Sequence, residues 1–151
     1  MAYEQLKLSN QICFPLYAVS RLITREYQPY LEALGITYPQ YLVLMVLWEK
    51  DHQPVNDIAQ KLVLNTNTVT PLLKRMETQG LLIRQRSEDD ERKVLVHLTA
   101  QGSAMQHAAA DIPQKLMESL AADTLSMDEM INLKNTLDQL VTYLSSKEKK
   151  E

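Results

Sequence analysis

Apolar residues recur at helical spacing over most of the chain, which predicts a largely α-helical protein. A long first helix is predicted from residue 9 to residue 33, and Gly35 ends that segment. Pro15 and Pro29 each remove a backbone N–H donor, so this helix is expected to bend locally. One face of the helix carries the apolar stripe Ile12, Leu16, Val19, Leu22 and Ile23.

Three shorter helices are predicted after the first one. Thr37 and Gln40 match a capping box, which opens a helix that runs to about residue 48. A short helix is predicted near residues 56–62, and another over residues 66–79, where Gly80 supplies a C-terminal cap. Two short helices separated by a tight turn are typical of a helix-turn-helix motif.

The hydrophobic period changes after Gly80. Residues 81–86 and 93–98 are predicted as two strands joined by a charged tip over residues 87–92. Thr99 is expected to cap a helix over residues 100–120, and Ser126 with Glu129 opens a last helix to about residue 145. The predicted fold class is therefore mainly α with a small β-ribbon, arranged as a winged helix-turn-helix.

The 151 residues are predicted to form a single domain, 1–151. Residues of about 36–103 would form the DNA-binding region, and those of about 1–35 and 104–151 would form long flanking helices. Helices of that length cannot bury their apolar faces on so small a central module. A second copy is expected to cover them, which predicts a homodimer with two-fold symmetry.

Composition narrows the class of protein further. Only three Gly and six Pro disfavour a sandwich, a barrel or a disordered chain. A single cysteine excludes an intramolecular disulfide and a cysteine-rich metal site, and the three histidines have no metal-ligand spacing, so no metal and no cofactor are predicted. Neither a signal sequence nor a membrane span is recognised, so the expected location is the cytoplasm, without membrane contact.

A polar helix face is the candidate DNA contact, although the net charge of the chain is −3. Apolar positions over residues 66–79 follow i, i+3, i+4, i+7 spacing, so the opposite face is expected to be exposed. Residues 61–86 hold five basic residues and one acid, a local charge of +4. The alternative is an ordinary solvated helix. The candidate DNA-binding residues here are Thr66, Asn67, Thr68, Thr70, Lys74, Arg75, Arg84 and Arg86.

The charged tip adds two more candidates. Arg92 lies at its base, where Asp90 is placed to hold the guanidinium in a fixed direction. An arginine oriented in this way suits the negative potential of a narrow minor groove. The alternative is a solvated hairpin with no role at DNA.

Cys13 lies between two apolar residues in the first turns of the first helix. One interpretation is a buried, inert thiol that fills the core. The other is a reactive thiol, because helix amides favour a thiolate and Tyr17, at i+4, shares its face. The residues alone leave both interpretations open.

Two segments resemble the MarR family of transcriptional regulators. The string RSEDDERKVLVHLTAQG is similar to the MarR wing, whose DxR core matches Asp90 and Arg92, and LNTNTVTPLLKRMETQGLL resembles the recognition helix. The stretch NQICFPLYAVSRLITREYQPYLEALGITYPQYLVLMVLWE resembles the organic-hydroperoxide-sensing OhrR group. The resemblance covers roughly residues 9–103. Many relatives have Asp-Ser-Gly where this chain has Asn-Thr-Asn at 65–67, which affects the expected operator preference.

The resemblance implies a function for Cys13. In the OhrR group the matching cysteine reacts with peroxide, Tyr17 is its neighbour in the same subunit, and residues matching Tyr27 and Tyr38 reach it from the partner. It implies a repressor that binds a pseudo-palindromic double-stranded operator and releases it when an organic hydroperoxide oxidises the cysteine to sulfenic acid. In a one-cysteine member, the sulfenic acid must then be captured by a low-molecular-weight thiol, cyclise with a backbone nitrogen or be oxidised further.

Two rival functions remain at this stage. A MarR-type regulator that answers a reversibly bound aromatic or phenolic ligand would leave Cys13 with a structural role only. A thiol peroxidase would turn peroxide over, but it gains nothing from a basic helix and wing. A non-enzymatic sensor is the preferred interpretation.

Overall fold

The computed structural model describes residues 3–121 and 125–148. These residues contain seven α-helices and a three-stranded antiparallel sheet. The helices are α1 (Cys13–Ala33), α2 (Tyr38–Glu49), α3 (Val55–Lys61), α4 (Thr66–Thr78), α5 (Ala100–Ala109), α6 (Ile112–Ala121) and α7 (Met127–Glu148). The strands are β1 (Gln53–Pro54), β2 (Leu82–Arg86) and β3 (Val94–Leu98). Helices α3 and α4 form the helix-turn-helix, and β2 and β3 form the wing, so the predicted fold class is confirmed.

The strand β1 was not predicted from the sequence. The sheet order is β1-β3-β2, and Gln53 pairs with Val96 in the central strand. Gln53 is buried, and its side-chain amide donates to the carbonyls of Val46 and Lys50 at the end of α2. A strand of two residues that includes a proline has no period to detect, which is why the sequence pattern missed it.

The first helix begins at Cys13, four residues later than predicted, and short 3₁₀ turns at Glu4–Leu6 and Leu8–Asn10 precede it. Pro15 therefore lies in the first turn of α1, where the missing N–H would have had no partner within the helix. Pro29 lies inside the helix. Cys13 becomes the first residue of α1 as a result.

The helix predicted over residues 100–120 is wrong as a single element. The structure has two helices there, α5 and α6, separated by residues 110 and 111. Pro113 lacks the N–H that a continuous helix would need to satisfy the carbonyl of Ala109. The same proline is tolerated at the second position of a new helix.

Several predicted helix ends are confirmed by hydrogen bonds. The Gln40 side chain accepts the backbone N–H of Thr37 at 2.9 Å, and Thr99 Oγ1 accepts that of Gly102 at 3.1 Å. The Glu129 side chain accepts the backbone N–H of Ser126 at 2.8 Å. The last helix runs three residues further than predicted, to Glu148, and residues 149–151 lie outside the described part of the chain.

The core lies between α2, α4 and the wing. Gly102 of α5 packs so closely on Leu81, the residue before β2, that a Cβ at Gly102 would lie 1.9 Å from the Leu81 carbonyl oxygen. Among the residues described, no single helix is both long and apolar enough to cross a membrane, whereas α1 and α2 taken together, with a 75° bend, would be. The central core side chains are Tyr41, Val43, Leu44, Leu47, Ile58, Val69, Leu73, Met76, Leu82 and Val96.

Candidate DNA interface and thiol site

Helix α4 buries one face and exposes the other. The N-terminal cap is Asn65, whose Oδ1 accepts the backbone N–H of Thr68 at 2.9 Å and its hydroxyl at 3.1 Å. Thr66, Asn67 and Thr68 are exposed, while Thr70 is half-buried. The first turn therefore presents short polar side chains and free backbone N–H groups to solvent. The buried face consists of Val69, Leu72, Leu73 and Met76.

Two cations extend this exposed face. Lys74 and Arg75 are both exposed, and neither forms an ion pair with an acid in residues 3–121 or 125–148. Arg86, at the end of β2, is also exposed. Such cations are available to neutralise phosphates.

The wing tip brings Asp90 and Arg92 together. Asp90 Oδ1 accepts both the backbone N–H and the Nε of Arg92, each at 3.1 Å. These hydrogen bonds lower the pKa of the Asp90 carboxyl, so it stays ionised. The Arg92 side chain is 91% exposed even so, which leaves its outer nitrogens free to meet another group.

Arg84 differs from the other candidate DNA contacts. Its guanidinium forms an ion pair with Glu77 of α4, at 2.8 Å from Nη2 to Oε2. From the sequence, Glu77 is only the single acid among five cations, and its spacing does not indicate this contact. The residues lie seven apart on either side of a turn, where no periodic pattern links them.

A cleft of about 190 Å³ separates the start of α4 from the wing. Thr66 and Thr70 line it on the helix side, and Arg84, Arg92 and Lys93 line it on the wing side. The two elements that would enter adjacent DNA grooves therefore share one concave, basic surface.

Cys13 is exposed at the start of α1. The interpretation of this thiol as filler of the chain's own core is therefore wrong. Tyr17 is exposed on the next turn, and the guanidinium of Arg21 lies 5.3 Å from its ring centroid. Thiol, phenol and guanidinium follow one another at i, i+4 and i+8 along one helix face.

Tyr27 and Tyr38 lie together, with ring centroids 4.9 Å apart. Tyr41 completes the group at 5.8 Å from Tyr27, and its i+3 spacing from Tyr38 was a signal that sequence reasoning did not use. Burial, and secondarily the neighbouring Tyr38 and Tyr41, raises the pKa of Tyr27 to about 12, and burial also raises the pKa of Tyr38. Both phenols therefore keep their protons at neutral pH and remain hydrogen-bond donors.

A single chain does not bring Cys13 to these tyrosines. Fourteen residues separate Cys13 from Tyr27 on α1, which at about 1.5 Å per residue is about 21 Å along the axis. A site that contains both groups requires a second chain.

Apolar faces on both flanking helices are left uncovered by the chain itself. Single exposed apolar residues are ordinary, but continuous patches of this kind mark interaction surfaces. On α1 and the segment before it they are Leu6, Leu8, Ile12, Phe14, Leu16, Val19 and Leu22. On α7 they are Ile131, Leu133, Leu140, Val141, Tyr143 and Leu144.

The histidines hold one feature that their sequence spacing did not suggest. The rings of His52 and His97 stack with centroids 5.0 Å apart and 7° between their planes, beside Asp51 at the base of the wing. Within the described ranges no group of three or more His, Cys, Asp or Glu side chains is placed to hold a metal ion.

Comparison with known families and curated proteins gives concordant results. The model of the family "Transcriptional regulator SarA/Rot" matches residues 25–108. The organic hydroperoxide resistance transcriptional regulator of Bacillus subtilis is 45% identical over 145 residues, which covers 96% of this chain and 97% of that protein. This alignment spans both flanking helices as well as the central module.

Solved structures agree with the sequence comparison. The structure of reduced AbfR bound to DNA covers 93% of this chain and 96% of its own, with 39% identity and a TM-score of 0.76. Overoxidised AbfR bound to DNA gives the same TM-score and identity, and AbfR comes from Staphylococcus epidermidis. The fold and the basic cleft define a winged-helix transcriptional regulator. The chain belongs to the MarR-type regulators and, within them, to the organic hydroperoxide resistance group.

Proposed function

We propose that this protein is a homodimeric, DNA-binding transcriptional repressor that senses organic hydroperoxides through Cys13 and then releases its operator. The observation that carries the proposal is the exposed Cys13 thiol at the start of α1, beside an apolar face that the chain itself does not cover. The likeness to a hydroperoxide resistance regulator, and to a regulator solved in reduced and overoxidised forms on DNA, supports it.

DNA binding is assigned to the central region, residues 36–103. In this proposal the exposed first turn of α4 enters the major groove, and Arg92 at the wing tip enters the adjacent minor groove. Residues 1–35 and 104–151 form the dimer, so that two copies of α4 meet half-sites about one helical turn apart in a pseudo-palindromic operator.

The thiol chemistry is a two-electron oxidation. The Cys13 thiolate attacks the outer oxygen of a hydroperoxide ROOH, the O–O bond breaks, and after proton uptake the products are Cys13 sulfenic acid and the alcohol ROH. Tyr17 of the same chain and the Tyr27 and Tyr38 hydroxyls of the second copy donate hydrogen bonds to the thiolate. A low-molecular-weight thiol can then form a mixed disulfide with loss of water.

Oxidation changes the interface at which the tyrosines meet the thiol. Tyr27 and Tyr38 are packed on Tyr41, which is 2% exposed and belongs to the core beneath α4 and the wing. A bulky or polar group on the sulfur cannot occupy the same packed space, so the tyrosine group must move. Movement of that group displaces the helices on which the two DNA-binding regions are mounted.

The decisive experiment compares the parent with Cys13→Ser. Both reduced proteins are expected to bind a duplex from the region upstream of their own gene, because serine keeps nearly the same volume and a hydroxyl. Stoichiometric cumene hydroperoxide is expected to release the parent and to leave Cys13→Ser bound, as measured by fluorescence anisotropy. Equal release of both proteins would show that Cys13 is not the sensor.

The same samples separate a sensor from an enzyme. We propose a cytoplasmic regulator that consumes about one hydroperoxide per thiol, since the chain has no second cysteine to resolve the sulfenate. Intact mass spectrometry with and without added small thiol, together with assay of remaining peroxide, measures this directly. Sustained turnover would favour a peroxidase instead.

A further inference from the structure

One carboxylate connects the recognition helix to the wing. Glu77 lies in the last turn of α4, and Arg84 lies in the middle of β2. Glu77 Oε1 accepts the backbone N–H of Arg84 at 2.9 Å, and Oε2 accepts its Nε at 3.0 Å and its Nη2 at 2.8 Å. The same side chain therefore holds both the main chain and the guanidinium of the strand.

This contact is stronger than an ordinary surface ion pair. The side chains of Glu77 and Arg84 are only 34% and 23% exposed, so solvent screens them less than fully exposed charges. A carboxylate that meets two guanidinium nitrogens also fixes direction, because the fork of the arginine is rigid. The contact restricts how far the wing can move relative to α4.

We infer that Glu77 is a positioning residue for DNA recognition: it sets the distance between the exposed face of α4 and the wing arginine Arg92. The inference rests on the proposed DNA-binding function. Arg84 and Arg92 line the wing side of the cleft, and Thr70 lines its helix side. A shift of the wing at Arg84 therefore also moves Arg92 relative to α4. Two elements can enter adjacent grooves together only when their spacing is fixed beforehand.

Positioning by Glu77 and simple charge repulsion predict opposite effects of removing this acid on DNA affinity, so the inference is testable. Removal of an acid beside DNA reduces repulsion, and a freed Arg84 would gain a phosphate contact. Affinity should then rise, and the slope of log K against log salt should steepen by about one unit. A positioning role for Glu77 predicts weaker binding with the slope unchanged, because no phosphate contact is gained or lost.

The experiment measures anisotropy of a labelled duplex from the region upstream of the gene, across a salt series, for parent, Glu77→Gln and Arg84→Gln. Gln retains an oxygen for the Arg84 backbone N–H, so folding should persist, as checked by melting temperature and dimer mass. Each single variant is expected to bind about fivefold more weakly, with a smaller loss on a scrambled duplex, and the double variant no more weakly than either single. Glu88→Gln, an exposed wing acid without an ion pair among the described residues, is the matched control and should not weaken binding.

A charge exchange provides a second variant. E77R/R84E restores an ion pair of reversed polarity and is expected to recover part of the affinity that either charge change alone loses. Tighter binding by Glu77→Gln, a steeper salt slope, or additive single effects would overturn the inference while the parent still binds. Failure of the parent to bind the duplex would overturn the proposed function itself, and this inference with it.

Discussion

A tyrosine hydroxyl assists a neighbouring thiolate only while it keeps its proton. Tyr27 and Tyr38 meet this condition because their raised pKa values leave both phenols protonated at neutral pH. Their rings are in contact with each other and with Tyr41, so the hydroxyls lose little conformational freedom on binding. At the scale of single residues, the proposed function makes the tyrosine group a preformed set of donors for the sulfur of another chain.

Removal of one phenol should slow the response to peroxide without affecting DNA binding. Tyr27→Phe or Tyr38→Phe deletes a hydrogen bond to a charged group, worth about 1.5–3 kcal/mol, so thiol oxidation should be about tenfold slower or more. Loss of free thiol after mixing with cumene hydroperoxide measures the rate. Tyr30→Phe is the control: Tyr30 is a half-buried tyrosine of α1, the helix of Tyr27, but lies outside the ring group. This variant should react at the parent rate. Equal rates for all three variants would contradict the role given to these hydroxyls.

The sequence could indicate only those features of the site that depend on short spacings along the chain. Cys13 and Tyr17 share a helix face, and Asp90 accepts hydrogen bonds from Arg92 two residues later, so both placements follow from spacing alone. The Glu77–Arg84 pair was missed because a chain reversal at Gly80 creates it. The grouping of Tyr27 with Tyr41 was missed for a similar reason, since the packing of α1 on α2 brings them together.

Helix bounds show the same limit at the scale of elements. For α2 and α4, apolar periodicity located both ends to within a residue or two, because capping residues and Gly80 reinforced it. Periodicity failed between α5 and α6, whose apolar positions continue in phase across the break, and there the decisive residue was Pro113. It also failed at β1, which exists only because β3 offers a free edge for two residues.

The recognition helix and the wing should contribute to DNA binding in distinguishable ways. Lys74→Ala removes from α4 a cation that has no ion pair among the described residues, so the salt slope should fall by about one unit with little change in sequence preference. Arg92→Ala removes a side chain that Asp90 already orients toward solvent, so specific binding should weaken about tenfold. Anisotropy on operator and scrambled duplexes across a salt series separates the two effects. If both variants match the parent while they remain folded dimers, the assigned interface is wrong.

At the scale of the whole molecule, the proposed sensing and DNA binding both depend on a second copy. About 21 Å along α1 separates Cys13 from Tyr27, and a single recognition helix can read only one half-site. The uncovered apolar faces of α1 and α7 are the surfaces that a partner copy would bury. On α7 the residues Leu133, Leu140, Val141 and Leu144 follow helical spacing, so they form one continuous stripe.

A charge placed in that stripe should separate the copies. The parent is expected to have twice the mass of its 17.4 kDa chain by light scattering, whereas Leu140→Glu should shift toward the single-chain mass, because a buried, unpaired carboxylate is costly to desolvate. The monomer should bind the operator duplex far more weakly, and its Cys13 should lose the tyrosine donors and react slowly with hydroperoxide. Asn135→Glu, on the opposite face of α7, is the matched control and should remain dimeric. If Leu140→Glu stays dimeric, the copies meet through another surface. If it is monomeric but its thiol is oxidised at the parent rate, the thiol does not depend on the partner's tyrosines.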